Sequence, residues 1–178
     1  MDASYTSAYR AFLDGGMAPF VDAYLALMER AGAKARYYFA GNGASAAIAS
    51  HLANDFTKAV GVRASTFHDP ALLTCFGNDY GFDNWLSEAV TKFGESGDVL
   101  VLISSSGRSA NIVRAAEAAK AAGMHVVALT GPRPSERLVA VSDVSLMIQS
   151  EIYNVIENCH MMALCAVVDS RNLVLLAG

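Results

Sequence analysis

The stretch DVLVLISSSGRSANI, residues 98–112, decides the fold. Its first seven residues form a nearly continuous apolar run of β-prone type, as expected of a strand buried on both faces in the middle of a parallel sheet. Serine and glycine then replace the apolar residues, and a helical pattern follows from about Asn111 to Ala122. A strand-turn-helix junction of this kind aims unpaired backbone N–H groups and the positive end of a helix at one point, and small residues let an anion come close. A second junction of the same build lies upstream. There Arg36–Ala40 (RYYFA) reads as a strand, Gly41-Asn42-Gly43-Ala44-Ser45 as the turn and Ala44 to about Lys58 as the helix. Two such turns, with hydroxyls at Ser45, Ser104, Ser106 and Ser109, suggest a phosphate cradle built from neutral donors.

Working outward, Val62–Phe67, His125–Thr130 and Val144–Ile148 read as further strands, the last two separated by the Pro-rich turn GPRPSE. Residues 4–30 show apolar positions at helical spacing, as one long helix or two broken near Gly15-Gly16, and Tyr153 to about Leu176 reads as a final long helix. The run Leu72–Trp85 is expected to be irregular, with a turn at Gly77-Asn78-Asp79 and Gly81, and Asp79 is expected to cap the helix that ends near Phe93. The alternation implies an α/β fold with one mostly parallel five-stranded sheet covered on both faces, ligands binding at the carboxyl ends of its strands. With right-handed crossovers, the turns after the first and third strands become neighbours where the strand order reverses.

The chain has 178 residues, 53% of them hydrophobic, and a formal net charge of −4. That is enough for one substantial core and suggests a single domain over 1–178, with residues 1–30 packing on it or on a neighbouring subunit. The charge gives no broad basic surface for nucleic acid. No apolar run reaches the ~18 residues of a membrane span. Three cysteines, Cys75, Cys159 and Cys165, suit a reducing cytoplasm better than a disulfide scaffold. His51 and Asp55, four apart on one helix face, have the spacing of a helix-borne metal pair and equally of a surface ion pair. The first turn also satisfies the loose dinucleotide fingerprint GxGxxA, with Asp69 as its acidic partner, but that reading leaves the SSSGRS turn without a role.

GNGAS before a helix, GNDYGF, LISSSGRSANI and a polar-rich late helix together resemble the sugar isomerase (SIS) domain, and within it the phosphoheptose isomerase branch. The resemblance runs from about Arg36 to Asp169. It implies a three-layer sandwich with a five-stranded parallel sheet in flavodoxin-like order, a long N-terminal helix, a homotetramer, a phosphorylated sugar as partner and no nucleotide cofactor. The implied reaction converts sedoheptulose 7-phosphate to a heptose 7-phosphate. An alternative is a similar group that binds the bacterial replication initiator protein and is not a known isomerase. The phosphate serines fall on Ser45, Ser104, Ser106 and Ser109, with Ser105 on the same turn; Asn42 and Asp79 match positions that line the sugar. His51 matches a histidine able to bind zinc.

The departures concern the chemistry. Asp55 stands where the family has a catalytic glutamate, Glu157 for a glutamine, Cys165 for a catalytic histidine, Asn154 for an aspartate and Ala59 for an arginine. Asp55, Cys165 and the nearby His160 are therefore the candidates for proton transfer, and Asn154 for contact with the sugar. His51, Asp55, Glu157 and either Cys165 or His160 are all competent ligands for zinc. Against that set stands a plainer reading, in which Glu157 and His160 form an exposed i,i+3 pair and Cys165 belongs to the core.

Overall fold

A computed structural model describes residues 3–177. The elements run α1 (Ala3–Ala11), a wide π-type turn (Phe12–Gly16), α2 (Met17–Ala31), β1 (Arg36–Gly41), α3 (Ala44–Asp55) with a second π-type turn (Phe56–Val60), and β2 (Arg63–Thr66). They continue with α4 (Pro70–Tyr80), α5 (Trp85–Phe93), β3 (Val99–Ser104), α6 (Ala110–Ala121), β4 (His125–Thr130), α7 (Glu136–Val141), β5 (Val144–Met147) and α8 (Tyr153–Ala177).

The five strands form one sheet in the order β2-β1-β3-β4-β5, and every neighbouring pair is parallel. β1 and β3 lie side by side, so the order reverses between the two serine turns and both turns open at the same edge. The side chains separate with the period of a strand. Tyr37, Phe39, Val99, Val101, Ile103, Val127 and Leu129 face one core, which α2, α3 and α8 close. Tyr38, Ala40, Leu100, Leu102, Val126 and Ala128 face the other, beneath α5 and α6. This is the expected three-layer sandwich.

The N-terminal segment covers its own sheet. α2 buries Phe20, Val21, Tyr24, Leu27 and Met28. At roughly 1.5–3 kcal/mol for each such side chain, this stripe outweighs the Arg171–Glu29 pair that also ties α2 to α8, since exposed pairs contribute about 0–1 kcal/mol. Gly15-Gly16 does not break the helix in two: the Met17 N–H reaches the Phe12 carbonyl, and the chain passes through a widened turn into α2.

Two local expectations are corrected. Residues 70–80 are helical rather than irregular, because Asp69 caps the helix, its Oδ1 accepting from Ala71 N and Leu72 N at 3.0 Å each, and Pro70 sits at the first helical position, where its missing N–H costs nothing. Asp79 therefore lies inside α4, and Asn84 takes the N-cap position of α5. The same capping gives Asp69 a structural task in place of the ribose contact that a dinucleotide site would require. A short helix, α7, also follows the Pro-rich turn where none was expected.

Candidate functional site

Both serine turns are shaped by glycines at points of close approach. A Cβ on Gly41 would lie 2.7 Å from the Cβ and carbonyl carbon of Ser45 and 2.8 Å from the Ile103 carbonyl oxygen. Gly107 has φ +61°, and a Cβ there would lie 2.6 Å from Pro134 Cβ. Only glycine fits either place. The second turn is closed by its own hydroxyls, Gly107 N donating to Ser104 Oγ at 3.1 Å and Arg108 N to Ser106 Oγ at 3.2 Å, and the first by its backbone, Ser45 N donating to the Asn42 carbonyl at 3.1 Å. Neither α3 nor α6 has a side-chain cap hydrogen bond at its N-terminus, so both helix ends keep their positive character for a ligand.

The two turns meet. Asn42, Ser45, Ser104, Ser105, Ser106, Ser109 and Tyr153 line one cavity of about 220 Å³. Asn42 and Asn111 hold the halves together by a reciprocal amide pair, Asn42 Nδ2 donating to Asn111 Oδ1 at 3.1 Å and Asn111 Nδ2 to Asn42 Oδ1 at 2.9 Å. A smaller hollow of about 120 Å³ shares Ser105, Ser106 and Tyr153 and has Arg108 in its wall. A larger cavity of about 460 Å³ lies between the N-terminal helices and β5, but its walls are mainly apolar. Its one carboxylate, Asp143, is already engaged by Lys120 and the Val126 N–H. The serine cavity is the one that residues of both turns line.

A second group of expected site residues lies on α3 and α8, outside the lining of the serine cavity. At the end of α3, Asp55 Oδ2 lies 3.2 Å from His51 Nε2, with His51 exposed and Asp55 half-buried. Cys165 on α8 is half-buried; burial first, then the charges of Asp55 and Asp169, push its thiol pKa up. Asp55 and Cys165 are thus close enough for one to act on the charge of the other, and the thiol keeps its proton at neutral pH.

The SIS domain family model matches residues 4–131. The chain belongs to the SIS domain family. Within it, the chain belongs to the phosphoheptose isomerase branch. It is 40% identical over 149 residues to the phosphoheptose isomerase of Neisseria meningitidis serogroup A, covering 78% of this chain and 74% of that protein. It is 40% identical over 146 residues to that of Bordetella avium, covering 76% and 73%. Among solved structures, the phosphoheptose isomerase GmhA from Neisseria gonorrhoeae superposes with a TM-score of 0.85 at 33% identity, covering 94% of this chain and 93% of that one. A phosphoheptose isomerase from Francisella tularensis gives 0.85 at 25% identity, covering 96% and 93%.

In this SIS domain the other expected site residues are more scattered. Asp79 is exposed on α4, where its carboxylate accepts from Asn78 Nδ2 at 2.9 Å, and Asn154 is exposed beside Tyr153. Neither lines the serine cavity. The four-donor zinc set is not assembled. His51 and Asp55 pair with each other, but among the described residues no three His, Cys, Asp or Glu side chains are placed to hold a metal ion. These residues do not fit the ion, and no step below passes through one.

His160 lies at 0% exposure in the core, its Nε2 3.1 Å from the Thr130 carbonyl and its Nδ1 without a partner. It is thus sealed from any ligand, and the exposed Glu157–His160 pair is not formed. Its place is behind the second turn, where Thr130 packs against Gly107. Burial lowers its pKa from 6.5 to about 4, with the Thr130 contact opposing the shift in part. Between these values the unfolded chain binds a proton that the folded chain does not, so stability is complete above about pH 6.5 and is lost as pH falls toward 4, by up to on the order of 3 kcal/mol. Denaturant titrations of the wild type and His160→Gln across that range check this; the variant is expected to show a flatter acid limb.

Two residues escaped the sequence reading. Asn111 stood inside the quoted motif and shows only 2% exposure; a short amide in the first turn of the second helix was its signal. His68, read only as the exit of β2, contacts Gly41 N and Ser50 Oγ. Its signal was position, at the carboxyl end of a strand.

Proposed function

We propose that this chain is a phosphosugar aldose-ketose isomerase, interconverting sedoheptulose 7-phosphate and a heptose 7-phosphate or a close analogue. The observation that carries the reading is the convergence of five serines and Asn42 on one cavity between two uncapped helix N-termini. The relatives' shared name supplies the substrate class. The phosphate dianion is held by the serine hydroxyls and backbone N–H groups, and the carbonyl end of the sugar extends toward Asp55 and Cys165.

The Asp55 carboxylate removes the proton from the carbon beside the carbonyl, giving an enediol, and returns it to the neighbouring carbon. The Cys165 thiol, which keeps its proton at neutral pH, supplies one to the carbonyl oxygen and recovers it from the adjacent hydroxyl. No electron leaves the substrate, and no nucleotide cofactor takes part. We place the enzyme in the cytoplasm, in keeping with three free cysteines, and as a homotetramer on the strength of the family resemblance. Exposed Leu13, Tyr153 and Leu173 offer apolar surface for such an assembly.

The experiment is incubation with sedoheptulose 7-phosphate in deuterated water. Incorporation at the carbon beside the carbonyl is expected. The thiol in place of the family's imidazole favours one other reading, a phosphosugar-binding module without turnover, and tight binding with no exchange would select it. For the cradle itself, Ser106→Ala is expected to weaken phosphosugar binding about tenfold, the effect of one hydrogen bond to a charged group, and to leave binding of the unphosphorylated sugar unchanged. Calorimetry with both ligands measures this, and equal phosphosugar affinity contradicts it.

A further inference from the structure

β2 ends early. Its register with β1 stops at Phe39↔Thr66, whereas β3 continues beside β1 as far as Gly41↔Ile103. The Gly41 N–H, which donates toward the β2 side, is therefore left beyond the end of the strand that would have accepted it. An unpaired N–H at this depth is costly, and His68 takes the place of the missing strand, its Nε2 3.4 Å from Gly41 N. On the other side of the ring, Nδ1 lies 3.4 Å from Ser50 Oγ, and Ser50 Oγ donates to the Ala46 carbonyl at 3.0 Å.

Only one assignment of protons satisfies all three contacts. Gly41 N can only donate, so Nε2 is the acceptor. The neutral ring then has its proton on Nδ1, and the Ser50 oxygen, whose own proton goes to Ala46, accepts it. The relay joins the exit of β2 to the last residue of β1 and to the first turns of α3. Gly41 in turn has Ser45 packed directly on it, at the distance where a Cβ would already collide, so a shift of Gly41 shifts the innermost serine of the cradle.

We propose that His68 is a positioning residue for the phosphate cradle: as a neutral imidazole it holds Gly41, and through it Ser45, where the anion is bound. The proposal rests on the phosphate reading of the serine cavity. Burial is the main cause lowering the His68 pKa, which keeps the ring in the neutral form that the relay requires.

The test uses the full chain and sedoheptulose 7-phosphate as the calorimetric probe. His68→Leu keeps bulk and removes the acceptor; His68→Gln restores an acceptor at a similar reach. A loss of about tenfold in affinity is expected for His68→Leu, about one hydrogen bond in magnitude, with His68→Gln within about twofold of wild type. Wild-type affinity in His68→Leu overturns the proposal. So does a His68→Gln variant as weak as His68→Leu, because bulk or folding would then be the cause. Nitrogen-15 NMR of the wild-type side chain decides independently of any variant: a proton on Nδ1 is expected, and one on Nε2 overturns the proposal. Failure of the wild type to bind the probe is a different result, which removes the phosphate reading and this proposal with it.

Discussion

Asp55→Asn is expected to lower deuterium incorporation into sedoheptulose 7-phosphate by about 100- to 10,000-fold, the range that a positioned general base contributes, while phosphosugar affinity stays within a few-fold of wild type. The substitution is nearly isosteric. It keeps polar atoms facing His51 at the end of α3, where Asp55 Oδ2 stands 3.2 Å from His51 Nε2, and it removes the negative charge together with the ability to take a proton. The serine cavity, formed at the other end of α3 and at the start of α6, is untouched. A fall in exchange with unchanged binding is therefore the signature of a base, and a fall in both would point to a structural role. Exchange followed by proton NMR, beside calorimetry with the same ligand, separates these. An unchanged exchange rate would remove Asp55 from the mechanism.

Gly41→Ala is expected to cost about 3 kcal/mol of stability and more than tenfold in phosphosugar affinity. The backbone angles at Gly41 are ordinary, since it is not among the positive-φ glycines, so the effect is one of volume alone. The added methyl would meet Ser45 at 2.7 Å and the Ile103 carbonyl oxygen at 2.8 Å. On one side lies the first turn of α3 and on the other the central strand β3, and neither can withdraw as a flexible side chain would. Overpacking at such sites costs about 1–3 kcal/mol and occasionally more. The least costly relief moves α3 outward, which carries Ser45 away from Ser104 and Ser106. Urea denaturation and calorimetry test the two parts, and a variant with wild-type values in both would contradict the packing described.

The sheet and the meeting of the two serine turns were legible because the signals that specify them are local. An unbroken apolar run ending in Ser104-Ser105-Ser106-Gly107 defines both a central strand and the turn that leaves it. A parallel sheet with one reversal of order then places GNGAS beside it. α4 was illegible for the opposite reason. Gly77, Asn78 and Asp79 are poor helix residues, and what overrides them is the cap at Asp69 together with packing of Leu72, Leu73 and Phe76 on the second core. The donors expected around zinc failed at a longer range. Residue type and heptad-like spacing put His51 and Asp55 on α3 and Glu157, His160 and Cys165 on α8, but the rotation of each helix about its axis is set by its apolar stripe. Ile48, Leu52 and Phe56, and Val155, Cys159, Ala163 and Val167, all turn inward. That rotation takes His160 into the core with them and leaves His51 on the solvent side, so the set cannot close.

The reciprocal amide pair has a consequence for the lifetime of the protein. Asn42 is followed by Gly43, the most perishable of dipeptides in water, because an unhindered backbone nitrogen attacks the side-chain amide carbon and leaves a carboxylate behind. Here that carboxylate would sit at the wall of the serine cavity and repel the phosphate proposed to bind there. Both polar atoms of the Asn42 side chain are held by Asn111, which restrains the amide from turning freely toward the nitrogen that would attack it. Asn111→Ala is therefore expected to age: on prolonged storage at mildly alkaline pH it should acquire one negative charge at Asn42, visible by isoelectric focusing, well before the wild type does. The contact that joins the two halves of the cradle also preserves its chemistry over time.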